Sequence, residues 1–230
     1  MLKTVVIYGQ NHKGSTYHIA HSLVEKIGGD ITEYFLPRDF GEFCLGCNTC
    51  FFKTADYCPH YAKLQPIIKS LDESDVIILA SPVYVYHVTG PMKAFLDHFG
   101  NRWMVHCPEE SMFKKQGVCI CTAAGGGMKS TLKDMVDSLS FWGVARIRKY
   151  GKAVMAVNWE GVSDKRKAII DKDMTFLANK IIKNSKNVRA SLKTKLLFYC
   201  MRFVQRISKN PKDTKYWNDK GWLKDKRPWK

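Results

Sequence analysis

Acidic residues are scarce in this chain: 21 Asp and Glu stand against 37 Lys and Arg, a formal net charge of +16. The shortage is local. Residues 183–230 hold 15 basic and 3 acidic residues, a net of +12, which leaves 22 and 18, a net of +4, for residues 1–182. The basicity therefore belongs to the tail, as a surface for anionic partners or simply a solvated one. Long apolar runs are also missing. None approaches the ~20 residues of a membrane-spanning helix, and the longest near the end, residues 196–201, stops at Arg202. Residues 1–9 hold too short an apolar run and no small-residue cleavage site, so a secretory signal is not expected and a cytoplasmic setting is. In that setting the eight cysteines are expected to be reduced or metal-bound rather than paired. Internal repeats are absent. So are a Ser/His/Asp set and paired carboxylates that would demand hydrolysis.

What is present is an alternation. Short β-branched runs at residues 4–8, 31–36, 76–80, 117–122 and 153–157 predict strands, the third apolar throughout, as suits burial on both faces. Between them, apolar residues at helical spacing predict helices over residues 15–27, 64–71, 91–99, 129–142 and 165–182. Gly28 and Gly29 stop the first of these. Strand alternating with helix implies a three-layer α/β fold. Its parallel five-stranded sheet is doubly wound in the order 2-1-3-4-5, and ligands bind beyond the carboxyl ends of the strands.

Three loops meet that edge. The first, residues 9–16, runs from strand to helix and holds Gly9, Gly14, Ser15 and Thr16. Free N–H groups at a helix start, helped by hydroxyls and close-approaching glycines, suit a phosphate; alternatively Ser15 is merely a helix cap. The loop is neither a dinucleotide fingerprint nor a Walker loop, because Gly-x-Gly-x-x-Gly is absent and Ser15 stands where the latter needs Lys. The second loop begins Ser81-Pro82-Val83-Tyr84-Val85 and continues into Gly90-Pro91-Met92-Lys93-Ala94-Phe95-Leu96-Asp97. The third is Thr122-Ala123-Ala124-Gly125-Gly126-Gly127. Taken singly, these are a rigid Pro turn and a flexible Gly loop.

The cysteines form a second pattern. Cys44-x-x-Cys47-x-x-Cys50, then Cys58-Pro59 after seven residues, lets three thiolates point inward from one tight loop with a fourth from beyond, as a [4Fe–4S] cluster needs. Four thiolates also suit structural zinc, and free or redox-labile thiols remain open. Cys107, Cys119, Cys121 and Cys200 read as packing residues. Of seven histidines, His18, His21, His60, His98 and His106 show no partner by spacing. His87 follows the second loop and is a weak candidate to donate a proton or position substrate.

The Gly-x-x-x-x-Gly-Ser-Thr loop, Ser-Pro-Val-Tyr and Gly-Pro-x-Lys-x-Phe-x-Asp resemble the NADPH-dependent FMN reductase and iron–sulfur flavoprotein families over roughly residues 3–182. The resemblance implies a flavodoxin-like fold, an FMN cofactor and redox use of NAD(P)H. Carried over, phosphate contacts fall on Gln10, His12, Ser15 and Thr16. Ring contacts fall on Pro82, Val83, Tyr84 and Val85, and on Thr122, Ala123, Ala124, Gly125 and Gly126. Relatives often have Ser and Arg where this chain has Gln10 and His12, so a weaker or pH-dependent phosphate grip is expected here. The family also implies a homo-oligomer, and its iron–sulfur members a cluster on Cys44, Cys47, Cys50 and Cys58 that exchanges electrons with FMN. The acceptor is a small molecule or a redox protein.

The division expected is a flavodoxin-like FMN-binding domain over 1–184 and a basic amphipathic helix with an aromatic tail over 185–230. A helix over residues 190–208 places Leu192, Leu196, Tyr199, Cys200, Phe203 and Ile207 on one stripe, with Lys195, Arg202, Arg206 and Lys209 beside it. The stripe is expected to pack on the domain or a second subunit, with the aromatic end as a clasp. A peripheral membrane contact is the lesser reading, and no nucleic-acid partner is expected.

Overall fold

A computed structural model describes residues 1–208 and 210–230. Five parallel strands, β1 (Lys3–Tyr8), β2 (Asp30–Phe35), β3 (Val76–Pro82), β4 (Gln116–Ala123) and β5 (Arg146–Ala153), form one sheet in the order β2-β1-β3-β4-β5. Alternation along the strands divides the core in two. Val5, Ile7, Ile77 and Leu79 face one layer with Leu64, Ile67, Met92, Phe95 and Leu139. Val6, Tyr8, Ile78 and Ala80 face the other with Ile19, Leu23, Ile170, Met174 and Ile181. The first layer is built by α3 (Tyr61–Glu73), α4 (Gly90–Asp97) and α5 (Met128–Phe141), and the second by α1 (Ser15–Ile27) and α6 (Asp164–Ser185). A four-residue α2 (Thr49–Phe52) lies in the cysteine loop.

The predicted fifth strand was misplaced. Residues 153–157 are not a strand; β5 precedes them and shares only Ala153. Its sequence, Arg146-Ile147-Arg148-Lys149-Tyr150-Gly151-Lys152-Ala153, is half-buried at the sheet edge, with Ile147 and Tyr150 packing on opposite layers. An edge strand needs apolar residues only where it meets the helices, so a run of cations conceals it.

Beyond the sheet, α7 (Leu192–Ile207) and α8 (Pro211–Asp219) close a third core of Met104, Phe113, Phe198, Trp217 and Trp222. Here the structure removes one of two expected packings. The stripe of α7 does not pack on the domain: Leu192, Leu196, Tyr199, Phe203 and Ile207 are all exposed, as is Cys200, which is not a packing residue within this chain. Thr194, Phe198 and Gln205 face inward instead. Three large aromatics brought by α8 and the tail set the packing side, and Thr194 and Gln205 bond to backbone carbonyls there. Lys209 lies outside the described residues. Cys119 and Cys121 are buried in β4, as expected. Among the described residues no helix is long and apolar enough to cross a membrane.

Candidate functional site

The register aligns the carboxyl ends, pairing Tyr8 with Ala80, Pro82 with Thr122 and Ala123 with Ala153. All three predicted loops therefore reach one rim. The first-turn N–H groups of α1 have no intrahelical acceptors, and its N-cap, Gly14, has no side chain to cover them. That leaves a positive helix end open to an anion, with Ser15 beside it. The His12 ring lies over Gly14, where an added Cβ would sit 3.1 Å from it. Gln10 is buried and its amide donates to the His12 carbonyl at 3.2 Å, shaping the loop from within. Lys13 adds a permanent cation, held 5.0 Å above the Tyr17 ring.

Thr16 does more than end the loop. Its hydroxyl and that of Thr122 are 2.7 Å apart in the core, tying the first loop to the third. Thr89 caps α4, accepting from the Met92 amide at 3.2 Å, and donates to the Gly9 carbonyl, tying the first loop to the second. A Cβ at Gly9 would lie 2.8 Å from that hydroxyl, so only glycine fits. The Val83 amide donates to the Thr122 carbonyl at 2.8 Å and joins the second loop to the third.

Past Val83 the chain turns sharply. Tyr84 and His87 exchange backbone bonds of 2.9 and 3.0 Å, with Val85 at φ 47° and Tyr86 at φ 68°. Both central residues are left-handed, as in a type I′ turn. A β-branched residue is strained there, and Val85 is 94 % exposed. Tyr84 and Val85 thus stand at the rim. Pro82 and Ala123 are half-buried, and Ala124, Gly125 and Gly126 are open to solvent. Gly127, at φ 88°, lets Val83 approach; a Cβ would meet it at 2.7 Å. Behind the turn, Asp134 of α5 accepts from His87 Nδ1 at 3.0 Å and from the Val88 amide at 3.3 Å. His87 is thereby oriented, with Nε2 the unbonded ring nitrogen.

A fourth loop follows β5. Val154 and Met155 donate to the carbonyls of Ala123 and Ala124, and Trp159 stacks on His18 at 5.1 Å. The misplaced fifth strand had hidden this loop inside a predicted element. Asp134 was equally invisible, since nothing in the sequence places it beside His87.

The cysteine loop makes a separate recess. Cys44, Cys47, Cys50 and Cys58 all line one cavity, with Gly46, Phe51, His60 and His98. Burial, and then the charges of Cys58, Cys44 and Cys47, push the Cys50 thiol up, while the Thr49 hydroxyl pulls Cys47 down. Two histidines without a partner by spacing meet here. The Ala94 carbonyl lies 2.8 Å from His98 Nδ1, and His60 Nδ1 lies 2.9 Å from His98 Nε2. A carbonyl only accepts, so His98 carries its proton on Nδ1, and His60 donates in turn through its own Nδ1. Burial holds His98 below its ordinary pKa, in keeping with that neutral form. Cys58, His60 and His98 each offer a ligand atom, all within 4.8 Å of one another. By residue type the four cysteines suit a thiolate-held cluster, whereas the group of ligand atoms that lies close together among the described residues is Cys58, His60 and His98, a Cys/His set. The loop is clasped by the tail: Lys212 of α8 donates to the carbonyls of Cys50 and Phe51 at 2.7 and 3.0 Å. The remaining histidines also find partners across the fold. His106 pairs with Asp213 at 2.8 Å, and His21 lies 3.5 and 3.6 Å from Glu25 and Glu33. Cys107 donates to Asp213, and its thiol is pushed up to about 12 by burial and that carboxylate.

Sheet order and rim together define a flavodoxin-like α/β protein with an uncapped helix start at the carboxyl edge of its sheet. Residues 2–158 match the sequence profile described as NADPH-dependent FMN reductase. The chain belongs to that family. It is similar to an iron–sulfur flavoprotein of Archaeoglobus fulgidus, with 28 % identity over 125 residues, 54 % of either chain. The chain thus matches about half the length of that curated relative. Among solved structures it resembles an azoreductase from Bacillus anthracis at a TM-score of 0.60 and 12 % identity, covering 78 % of this chain and all of that one. A flavone reductase superposes at 0.59 and 15 % identity, over 83 % of this chain and 65 % of that one. At such identities the likeness establishes the fold.

Proposed function

We propose that this protein is an FMN-dependent oxidoreductase that takes electrons from NAD(P)H and delivers them to a small-molecule or protein acceptor. The observation that carries the reading is the junction of three loops through Thr16–Thr122, Thr89–Gly9 and Val83–Thr122 at the uncapped end of α1. Bound there, FMN supplies hydride and electron transfer; the chain supplies position. The α1 amides and Ser15 would hold the phosphate, with the Lys13 cation and the His12 ring beside it. Tyr84 walls the ring, while the open backbone of Gly125 and Gly126 allows close approach to its polar edge. His87, fixed by Asp134, presents Nε2 at the rim as a group that can hold or pass a proton. The curated relative named an iron–sulfur flavoprotein supports a second reading. Here the four thiols hold a [4Fe–4S] cluster and the protein acts as an electron carrier, reduced by a partner.

The test is anaerobic purification, followed by absorbance, iron and sulfide analysis, and stopped-flow mixing with NADH and NADPH. Flavin bleaching by either nucleotide supports the first reading. Protein that binds no added FMN removes both. Flavin reduced only by a redox protein, with stoichiometric iron and sulfide, selects the second.

A further inference from the structure

The outward face of α7 is the largest feature that the redox site does not use, and α7 lies beyond the residues matched to the family. Leu192, Leu196, Tyr199, Phe203 and Ile207 fall within an arc of about 80° on the helix. Their exposure runs from 45 % at Tyr199 to 85 % at Leu192. The helix cannot turn to bury them, because its opposite face is fastened. The Thr194 hydroxyl donates to the carbonyls of Val144 and Ala145 at 3.2 Å, and Gln205 donates to the Val105 carbonyl. Phe198 is packed against Phe113, Trp217 and Trp222.

Cations flank the stripe. Lys193 lies on one side, and Lys195, Arg202 and Arg206 on the other. Arg227 sits 5.4 Å from the Tyr199 ring. Arg202 and Arg206 are steadied by the carbonyls of Trp222, Leu223 and Lys224, which leave their charge in place. Among the described residues none of these five cations forms an ion pair. The three acidic residues of this region are Asp213, Asp219 and Asp225; the first two are engaged by His106 and Lys215.

We propose that α7 is an interfacial helix that docks the protein on an anionic lipid surface, its apolar stripe sunk among the acyl chains and its flanking cations at the headgroups. Apolar area and lipid charge add in such binding. A second copy of this chain is a poorer occupant, because a twofold pairing of the stripes would bring like-charged flanks together. Nucleic acid is poorer too, because the centre of the face is aliphatic and aromatic, with the Tyr199 hydroxyl its one donor. The first turn of α7 is fastened beside Val144 and Ala145, at the amino edge of β5 and away from the carboxyl-edge rim.

The experiment is co-sedimentation of the full chain with vesicles of pure phosphatidylcholine, and of phosphatidylcholine with about one-third phosphatidylglycerol. The expected result is at least about tenfold stronger partitioning onto the anionic vesicles, weakened by 0.5 M salt. The double variant Leu196→Glu, Phe203→Glu is expected to lose about tenfold or more of that binding, with its thermal midpoint unchanged because both positions are exposed. Lys193→Glu, Lys195→Glu is expected to lose the anionic preference without touching the stripe. Equal binding to the two vesicle types overturns the proposal. So does a folded Leu196→Glu, Phe203→Glu variant that binds as the parent does. A wild-type dimer that this variant dissociates, or binding to duplex DNA that vesicles do not displace, also overturns it by assigning the face to another occupant.

Discussion

At the carboxyl edge of the sheet, Thr122 lies in β4, Val83 directly follows β3 and Thr16 opens α1, so paired strands and a packed helix place them, and the loops are bonded to one another. The cysteine loop has no such frame. Its thiols lie on a four-residue helix and irregular backbone, with Asn48 and Gly46 left-handed, and its supports are side chains from elsewhere: Lys212 from α8, and His98 from the end of α4. The rim is therefore preformed by topology, whereas the recess depends on long-range side-chain contacts. Damage to the second is expected to leave the first intact.

The largest effect tests that independence directly. Under the proposed cluster reading, Cys50→Ser with Cys58→Ser is expected to lower anaerobically reconstituted iron from about four per chain to near zero, while FMN affinity stays within about twofold of the parent. Loss of flavin together with iron would dissolve the distinction. The converse variant is Gly127→Val, whose Cβ would clash with Val83 at a left-handed position. Chemical denaturation should show a cost of about 2–3 kcal/mol, with FMN affinity weakened about tenfold or more and iron content unchanged. Lys212→Met removes the donor to two loop carbonyls. It is expected to cost about 1–2 kcal/mol and to speed loss of iron to a chelator, with no change in FMN titration. Thr16→Val breaks the bond between the first and third loops at a cost of about 1 kcal/mol and a few-fold loss in FMN affinity, again sparing iron.

The smallest effect lies where the two regions join. Arg38, and then the Phe35 amide, hold Asp39 below the ordinary carboxylate range at the end of β2. A depressed carboxyl contributes stability above its unfolded pKa, near 4, and loses it as pH falls through the folded value. Asp39→Asn should lower the thermal midpoint slightly at neutral pH, and the difference should shrink as pH falls below the ordinary carboxylate range. A difference that grows in acid would be inconsistent with that pairing.

The central strands were legible because burial on both faces requires continuous apolar runs. The edge strand β5 was not, because half its surface meets solvent and four of its eight residues are Arg or Lys. The strand-to-helix loop after β1 and the cysteine grouping were legible because local backbone geometry and residue spacing are properties of short segments. His60–His98, His87–Asp134 and Lys212 were not, because each pair joins positions at least 38 residues apart. In α7 the period was correct, but the stripe does not pack on the domain. Hydrophobicity alone picks the stripe with the most apolar residues, whereas the buried side was decided by where Trp217 and Trp222 could pack.

By itself, then, the sequence determined the order of elements, the sheet topology, the glycine-led start of α1 and the grouping of four cysteines, since periodicity and local spacing govern these. The tertiary structure alone decided that Thr16 and Thr122 lock two loops, that two histidines join the cysteine recess, and that the apolar face of α7 looks outward. Those outcomes depend on which distant side chains share a volume, a competition that no short segment of chain records.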